Sequence, residues 1–235
     1  MICNKKIKGI ILDLDGTIAF SQHYHYLAIK KVVKKQLKLD YTEKQDAKYF
    51  TGHGSNKTFQ KISKRNKLNL DEKTIKKLVT LKRRTYLEIV KKSKIKPVPG
   101  ILEFVQGQLN MGRKIIVATN NRVKPTKIIL HKTGLSKLIQ DIITMEDVKE
   151  KKPAPDTFKL ALKKLKLKPN QAIVFEDSAQ GVKAAKAANI YCYGLTTSTT
   201  KRKLQNAGAD EIIKNYKNLL CQKKPQPEKK QTQKK

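Results

Sequence analysis

Four short segments of the chain carry side chains able to do chemistry. The first is Asp13-Leu14-Asp15-Gly16-Thr17, which closes an apolar run from Ile7 to Leu14. Residues two apart on a strand point to the same side, so at a strand's end two carboxylates can face one small volume. Two such anions repel, and a metal ion between them removes the conflict. Gly16 permits a sharp exit, and the Thr17 hydroxyl can tie the turn down. The second segment is Thr119-Asn120, ending IIVATNN. The third is Lys152 in KEKKPAPD, where Pro153 biases Lys152 towards extended backbone and Pro155 opens the following helix. The fourth is Glu176-Asp177-Ser178, ending AIVFEDS. Acids, a hydroxyl, a lysine and two further acids suit a phosphoryl group held by Mg²⁺, Lys and hydroxyl donors. Each piece alone is commonplace: an acid pair in a turn, a strand-ending Thr, one Lys among 47. Order gives them weight, because Thr119 follows Asp13 by 106 residues, Lys152 follows after 33 more, and Asp177 after 25 more.

The elements that must hold these segments alternate. Ile7 to Leu14 reads as a buried strand. From Gly100 onward the spacing predicts helices at 100–112, 122–134, 155–167, 179–189 and 201–208. Strands fall between them at 114–119, 141–144, 171–177, 190–195 and 210–214. Strands separated by helices of this length indicate a parallel sheet covered on both faces, and ligands of such sheets sit at the strands' carboxyl ends. Residues 21–92 read differently, as helices at 21–39, 57–68 and 71–92, the last with Asp71 as N-cap. The expected organisation is therefore an α/β core from 1–19 and 97–221, a helical insertion at 20–96, and a disordered basic tail at 222–235 with net charge +5.

At 235 residues, with 38% hydrophobic content, the chain can bury a sizeable core. No uncharged apolar stretch approaches membrane-spanning length, and the N-terminus lacks a secretory pattern. Cys3, Cys192 and Cys221 are far apart and lack metal-ligand spacing, which suggests a reduced, cytoplasmic protein. The formal charge is +34, but only 6 of the 53 basic residues are Arg, and no stretch interleaves aromatic and basic residues. Attraction of small anions is a more economical consequence than dedicated nucleic-acid binding.

The ordered set ILDLDGT, IIVATNN, KKPAPD and VFEDSAQG resembles the haloacid dehalogenase-like superfamily, near its beta-phosphoglucomutase and phosphoglycolate phosphatase branch, from about residue 7 to 220. The resemblance implies a Rossmann-like core, a helical cap inserted after the first strand, Mg²⁺ as cofactor and an aspartyl-phosphate intermediate. It makes Asp13 the nucleophile and Asp15 the general acid/base, with Thr119 and Lys152 on the phosphoryl oxygens. Glu176 and Asp177 would complete a metal site with Asp13 and the Asp15 carbonyl. Thr17 and Asn120 would lie towards the substrate. His25, ten residues after Asp15, either gates the closed state or hydrogen-bonds near Asp15, or is a surface imidazole on an amphipathic helix. Residues 51–58, with Gly52, resemble the family's cap substrate loop. Two departures stand out: Phe20-Ser21 replaces the Asp-Ser of many relatives, and the cap loop offers Ser55, Asn56 and Lys57 where mutases carry Arg. The resulting expectation is a Mg²⁺-dependent phosphatase, monomeric in the manner of its relatives, acting on a small phosphorylated metabolite such as a sugar phosphate or phosphoglycolate. A phosphomutase is the alternative, and an RNA-binding protein the third reading.

Overall fold

The computed structural model describes residues 5–49, 54–139 and 141–220. Six strands form one sheet: β1 (Gly9–Leu12), β2 (Lys114–Ala118), β3 (Ile142–Ile143), β4 (Ala172–Glu176), β5 (Tyr191–Leu195) and β6 (Glu211–Ile213). Their order is β3-β2-β1-β4-β5-β6, and every pairing is parallel. Ile10 lies between Ile115 and Ile173, and Leu12 between Val117 and Phe175. These side chains fill one core with Phe104 of α5 (Ile101–Asn110) and Ile129 of α6 (Val123–Lys132). Ile11, Ile116 and Val174 point the other way. They meet Phe158 of α7 (Asp156–Leu165), Val182 of α8 (Ala179–Ala187) and Leu204 of α9 (Lys201–Asn206). Burial on both faces is why the strands read as unbroken apolar runs.

The chain winds outward from β1 to β2 and β3, then returns to place β4 on the other side of β1. The carboxyl ends of β1 and β4 therefore flank a topological switch point, where open α/β sheets bind ligands. β1 is shorter than the expected Ile7–Leu14 run, although bonds from Lys8 N to Gln171 O (2.8 Å) and Asp13 N to Phe175 O (3.0 Å) extend its pairing. Beyond Asp13 the backbone turns into the loop that carries Asp15, which ends the ladder.

Between β1 and α5 the described chain is helical: α1 (Gln22–Leu37), α2 (Glu43–Tyr49), α3 (Ser55–Arg65) and α4 (Glu72–Lys92). The apolar spacing does not predict α2. This helix buries no residue, so it leaves no apolar stripe to read. Its signal is a capping box: Thr42 N donates to Gln45 Oε1 (2.9 Å), and Gln45 N donates to Thr42 Oγ1 (3.3 Å). Asp71 caps α4 as expected, accepting from Thr74 N at 2.8 Å. The helices share a core of their own, built from Tyr26, Ile29, Phe59, Ile62 and Leu78. Ala28, Tyr86 and Val90 join the main core instead.

The two connections run side by side. Phe20 N bonds to Lys96 O (3.0 Å) and Val98 N to Ile18 O (2.8 Å). Lys132, at the end of α6, donates to the carbonyls of Val90 (2.9 Å), Lys91 (2.6 Å) and Ser93 (2.7 Å). Its ammonium thus satisfies the open carbonyl end of α4, where the helix dipole favours a cation. No helix among the described residues is long and apolar enough to cross a membrane. The expected tail, 222–235, lies outside the described residues.

Replacing Lys132 by Met should strip the end of α4 of these donors and lower unfolding stability by about 1–2 kcal/mol. A shift of the urea midpoint measures this, and an unchanged midpoint would remove Lys132 as an anchor.

Candidate active site

The site grows from the ends of β1 and β4. Asp13 leaves β1 buried, at 7% exposure, and Glu176 and Asp177 leave β4 at 1% and 4%. One carboxylate oxygen from each lies within 4.8 Å of the others. Lys152, itself 5% exposed, donates to Asp13 Oδ1 (2.6 Å), Glu176 Oε1 (2.6 Å) and Ala118 O (2.7 Å). Glu176 is saturated on its other side: Oε2 accepts from Asp177 N (3.1 Å), Ser178 N (3.1 Å) and Ser178 Oγ (3.0 Å). Two glycines leave room for these acids. Gly16 has φ +77°, and a Cβ there would overlap the Asp177 carboxylate. At Gly181, in the first turn of α8, a Cβ would overlap the carboxylate of Glu176.

Charge at this cluster is unbalanced. Three buried carboxylates share one ammonium, so two negative charges would stay uncompensated. Burial, with Glu176 adding repulsion, pushes Asp13 up to about 8 despite Lys152. Burial, Glu176 and Asp13 push Asp177 well above the usual carboxylate range, although the Ser198 hydroxyl hydrogen-bonds it. Burial also works against the charge on Lys152, yet Asp13 and Glu176 hold it above the ordinary lysine range. An all-oxygen, anionic donor set of this kind fits a hard divalent cation.

Asp15 turns elsewhere. Its carboxylate is not one of the three in the cluster, yet it stays near enough to Asp13 and Asp177 to raise both. Asp15 Oδ2 meets His25 Nε2 (3.1 Å) and Asn121 Nδ2 (3.3 Å), and Oδ1 accepts from Ser21 Oγ and from Tyr86 OH (3.5 Å). Lys82 Nζ lies 2.7 Å from His25 Nδ1. An ammonium has no acceptor, so Nδ1 takes its hydrogen bond, and His25 is neutral with its proton on Nε2, donated to Asp15. The imidazole stacks on Tyr86 at 3.9 Å between ring centroids, 11° from parallel. Burial would raise Asp15, but His25, Ser21 and Lys82 together hold it below the usual carboxylate range. Burial lowers Lys82 to about 8. Of the open readings of His25, contact with Asp15 is the observed one.

The remaining expected residues have definite places. Thr119 is buried, and its Oγ1 accepts from Asn121 N at 3.1 Å. Asn120 spends its side-chain amide on the Lys152 backbone, accepting from Lys152 N (3.2 Å) and donating to Lys152 O (3.4 Å). Thr17 does not tie its turn: its Oγ1 is buried and, among the described residues, has no partner. The turn is closed instead by Ile18 N to Leu14 O (2.9 Å) and by Thr197 Oγ1 donating to Gly16 O. Gly52 lies outside the described residues. Motif spacing does not point to Ser21, Lys82, Tyr86, Asn121 or Ser198 as parts of the site. Lys82 has a readable signal all the same, because it falls on the α4 face that buries Ile75, Leu78, Val79, Tyr86 and Val90.

A doubly covered parallel sheet, with a lysine bridging carboxylates at its switch point and helices inserted after β1, defines a hydrolase of the phosphoryl-transfer class. The chain belongs to the haloacid dehalogenase-like hydrolase family, whose model matches residues 10–195, and it is an enzyme of that family's phosphatase type. It is 26% identical over 218 residues to protein CbbY of Cereibacter sphaeroides, covering 91% of this chain and 94% of that protein. It is 28% identical over 186 residues to fructose-1-phosphate phosphatase YqaB of Escherichia coli, covering 79% and 95%. The crystal structure of CbbY from Rhodobacter sphaeroides in complex with phosphate shares the fold, with a TM-score of 0.80 at 24% identity over 91% of this chain and 96% of that one.

The His25 protonation state is testable by ¹⁵N NMR of the imidazole. Burial and the Lys82 charge hold His25 below its ordinary 6.5, while Asp15 opposes them. The stabilising neutral form should therefore persist through pH 6.5 and be lost only as pH falls through the lowered value. In Lys82→Met the repelling charge is gone, and His25 should titrate at higher pH. Identical titrations in the two proteins would rule out the Lys82–His25 contact.

Proposed function

We propose that the protein hydrolyses phosphate monoesters of small sugar-like metabolites through an aspartyl-phosphate on Asp13, with Mg²⁺ as cofactor. The observation that carries this reading is the convergence of Asp13, Glu176 and Asp177, with Lys152 bonded to the first two. The activity for which the fructose-1-phosphate phosphatase relative is named supports a sugar phosphate as substrate. Residues 1–19 and 97–221 act in this reading as the catalytic core, and 20–96 as a cap that supplies His25, Lys82 and Tyr86.

Asp13 and Asp177, with the Asp15 carbonyl, would hold the Mg²⁺, and Glu176 would stand beside them while it orients Lys152. When bound, the ion supplies positive charge to the acids and to the phosphoryl oxygens. Asp13 Oδ attacks phosphorus, and the bond from phosphorus to the substrate's ester oxygen breaks. Lys152 and the Thr119 hydroxyl offset charge on the equatorial oxygens. Asp15 gives its proton to the departing alkoxide. An arriving phosphate dianion favours that protonated form, since like charge raises a carboxylate. Water then attacks phosphorus, the bond to Asp13 breaks, and Asp15 recovers a proton from the water. Asn120 positions Lys152 through its backbone, and Ser198 positions Asp177. A mutase needs a second phosphate-holding group in the cap loop, and Ser55, Asn56 and Lys57 include no arginine there. Hydrolysis is therefore the favoured outcome.

Phosphate release from a panel of sugar phosphates should require Mg²⁺ and should fall by at least about 10³-fold in Asp13→Asn. Full turnover in Asp13→Asn would overturn the covalent route. Undiminished turnover after exhaustive chelation would separately exclude the metal.

A further inference from the structure

The loop between β5 and α9 reads Thr196-Thr197-Ser198-Thr199-Thr200 and lies outside the four segments that carry the chemistry. Its ends are fixed away from the site. Thr196 N donates to Ile213 O of β6 (3.0 Å), and Thr200 caps α9 by accepting from Lys203 N (3.4 Å). Its middle faces inward. Thr197 Oγ1 donates to Gly16 O, and Ser198 Oγ donates to the Asp177 carboxylate. A Cβ at Gly16 would overlap both Asp177 Oδ2 and Ser198 Oγ, so the serine, the acid and the Asp15-Gly16 turn are in contact.

Both contacts fall on groups that Lys152 does not hold. The lysine gives its three protons to Asp13, Glu176 and Ala118 O, which leaves none for Asp177. Ser198 supplies that donor, and a hydrogen bond to a carboxylate is stronger than one between neutral groups. Gly16 is held on both sides: its N–H donates to Ala19 O (2.7 Å), and its carbonyl accepts from Thr197. In a planar trans peptide the carbonyl points opposite to the N–H that follows it. The Asp15 carbonyl therefore points away from Ala19, and among the described residues no backbone N–H takes it. Thr197 steadies the residue whose N–H sets that direction. A surface connection can leave its hydroxyls to water, so chain closure alone does not bring these two to the acids.

We propose that Thr197 and Ser198 are a positioning pair for the divalent cation. Ser198 acts through the Asp177 carboxylate, and Thr197 acts through the Gly16 peptide beside the Asp15 carbonyl. This rests on the reading that Asp13, Asp177 and the Asp15 carbonyl hold the ion. Each hydroxyl presets one donor of the site and reaches the cation only through that donor. Groups that orient metal ligands in this way commonly change affinity by about 10–100-fold.

The test is calorimetric titration of the metal-free full chain with Mg²⁺, without substrate. Ser198→Ala and Thr197→Val should each weaken Mg²⁺ binding by about tenfold or more. Ser198→Thr and Thr197→Ser keep the hydroxyls and should bind within about threefold of the wild type. Thr199→Ala, in the same loop, should bind as the wild type does. A loop with a merely structural role would lower the metal-free urea midpoint in Ser198→Ala and Thr197→Val and leave the Mg²⁺ affinity of the folded protein intact. The proposal is overturned by that result, by failure of the hydroxyl-retaining variants to restore binding, or by an equal loss in Thr199→Ala. A wild type that binds no Mg²⁺ overturns the reading of the metal site itself, whereas a wild type that binds it beside unchanged variants overturns the pair alone.

Discussion

Three carboxylates and one ammonium lie buried together where β1 and β4 end side by side. Burying charge without full compensation is expensive, and neither apolar packing nor backbone geometry demands it here. The surrounding structure is arranged to hold the cluster together. Gly16 and Gly181 clear the space that Asp177 and Glu176 fill. Ser178 serves twice, capping α8 through Gly181 N and donating to Glu176. Asn120 clasps the Lys152 backbone, and Lys152 reaches across to acids from two strands. A site that stores electrostatic conflict in a rigid frame is prepared for a cation and a phosphoryl group.

The insertion completes what the core begins. Asp15 leaves the carboxylate cluster and is held from the other side by Ser21, His25, Tyr86 and Asn121. Lys82 fixes the His25 tautomer, so a proton donor faces Asp15. In the proposed mechanism the nucleophilic and acid–base roles would then fall to two acids of one turn, Asp13 and Asp15. The paired connections near Ala19 and Pro97, with Lys132 on the end of α4, set how the helical layer meets the sheet.

The strands are legible in the sequence because both faces of the sheet are buried, which leaves runs such as IIVA and AIVFE almost free of polar interruption. The acids are legible because each stands at the end of such a run, and because strand-end acids, threonine and lysine in this order mark a phosphoryl site. Spacing does not show which way each side chain turns. Asn120 and Asn121 are equivalent by spacing, yet the first holds Lys152 and the second reaches Asp15. Lys82 is hidden by abundance: in a chain of 47 lysines, one more reads as surface, although its helical spacing matches the buried face. Ser198 lies in Thr196-Thr197-Ser198-Thr199-Thr200, which reads as a polar connection until the fold brings it against Asp177. α2 escapes because it buries nothing, and only its capping box marks it.

The charge conflict at β1 and β4 is most directly tested by equilibrium unfolding with and without Mg²⁺, in the wild type and in Asp177→Asn. The wild type should gain stability with added Mg²⁺, by about 2.7 kcal/mol at a hundred times the dissociation constant. Asp177→Asn relieves repulsion, so it should be at least as stable as the wild type without metal and gain little from Mg²⁺. A wild type indifferent to Mg²⁺, or a metal-free Asp177→Asn clearly less stable than its parent, would contradict the account.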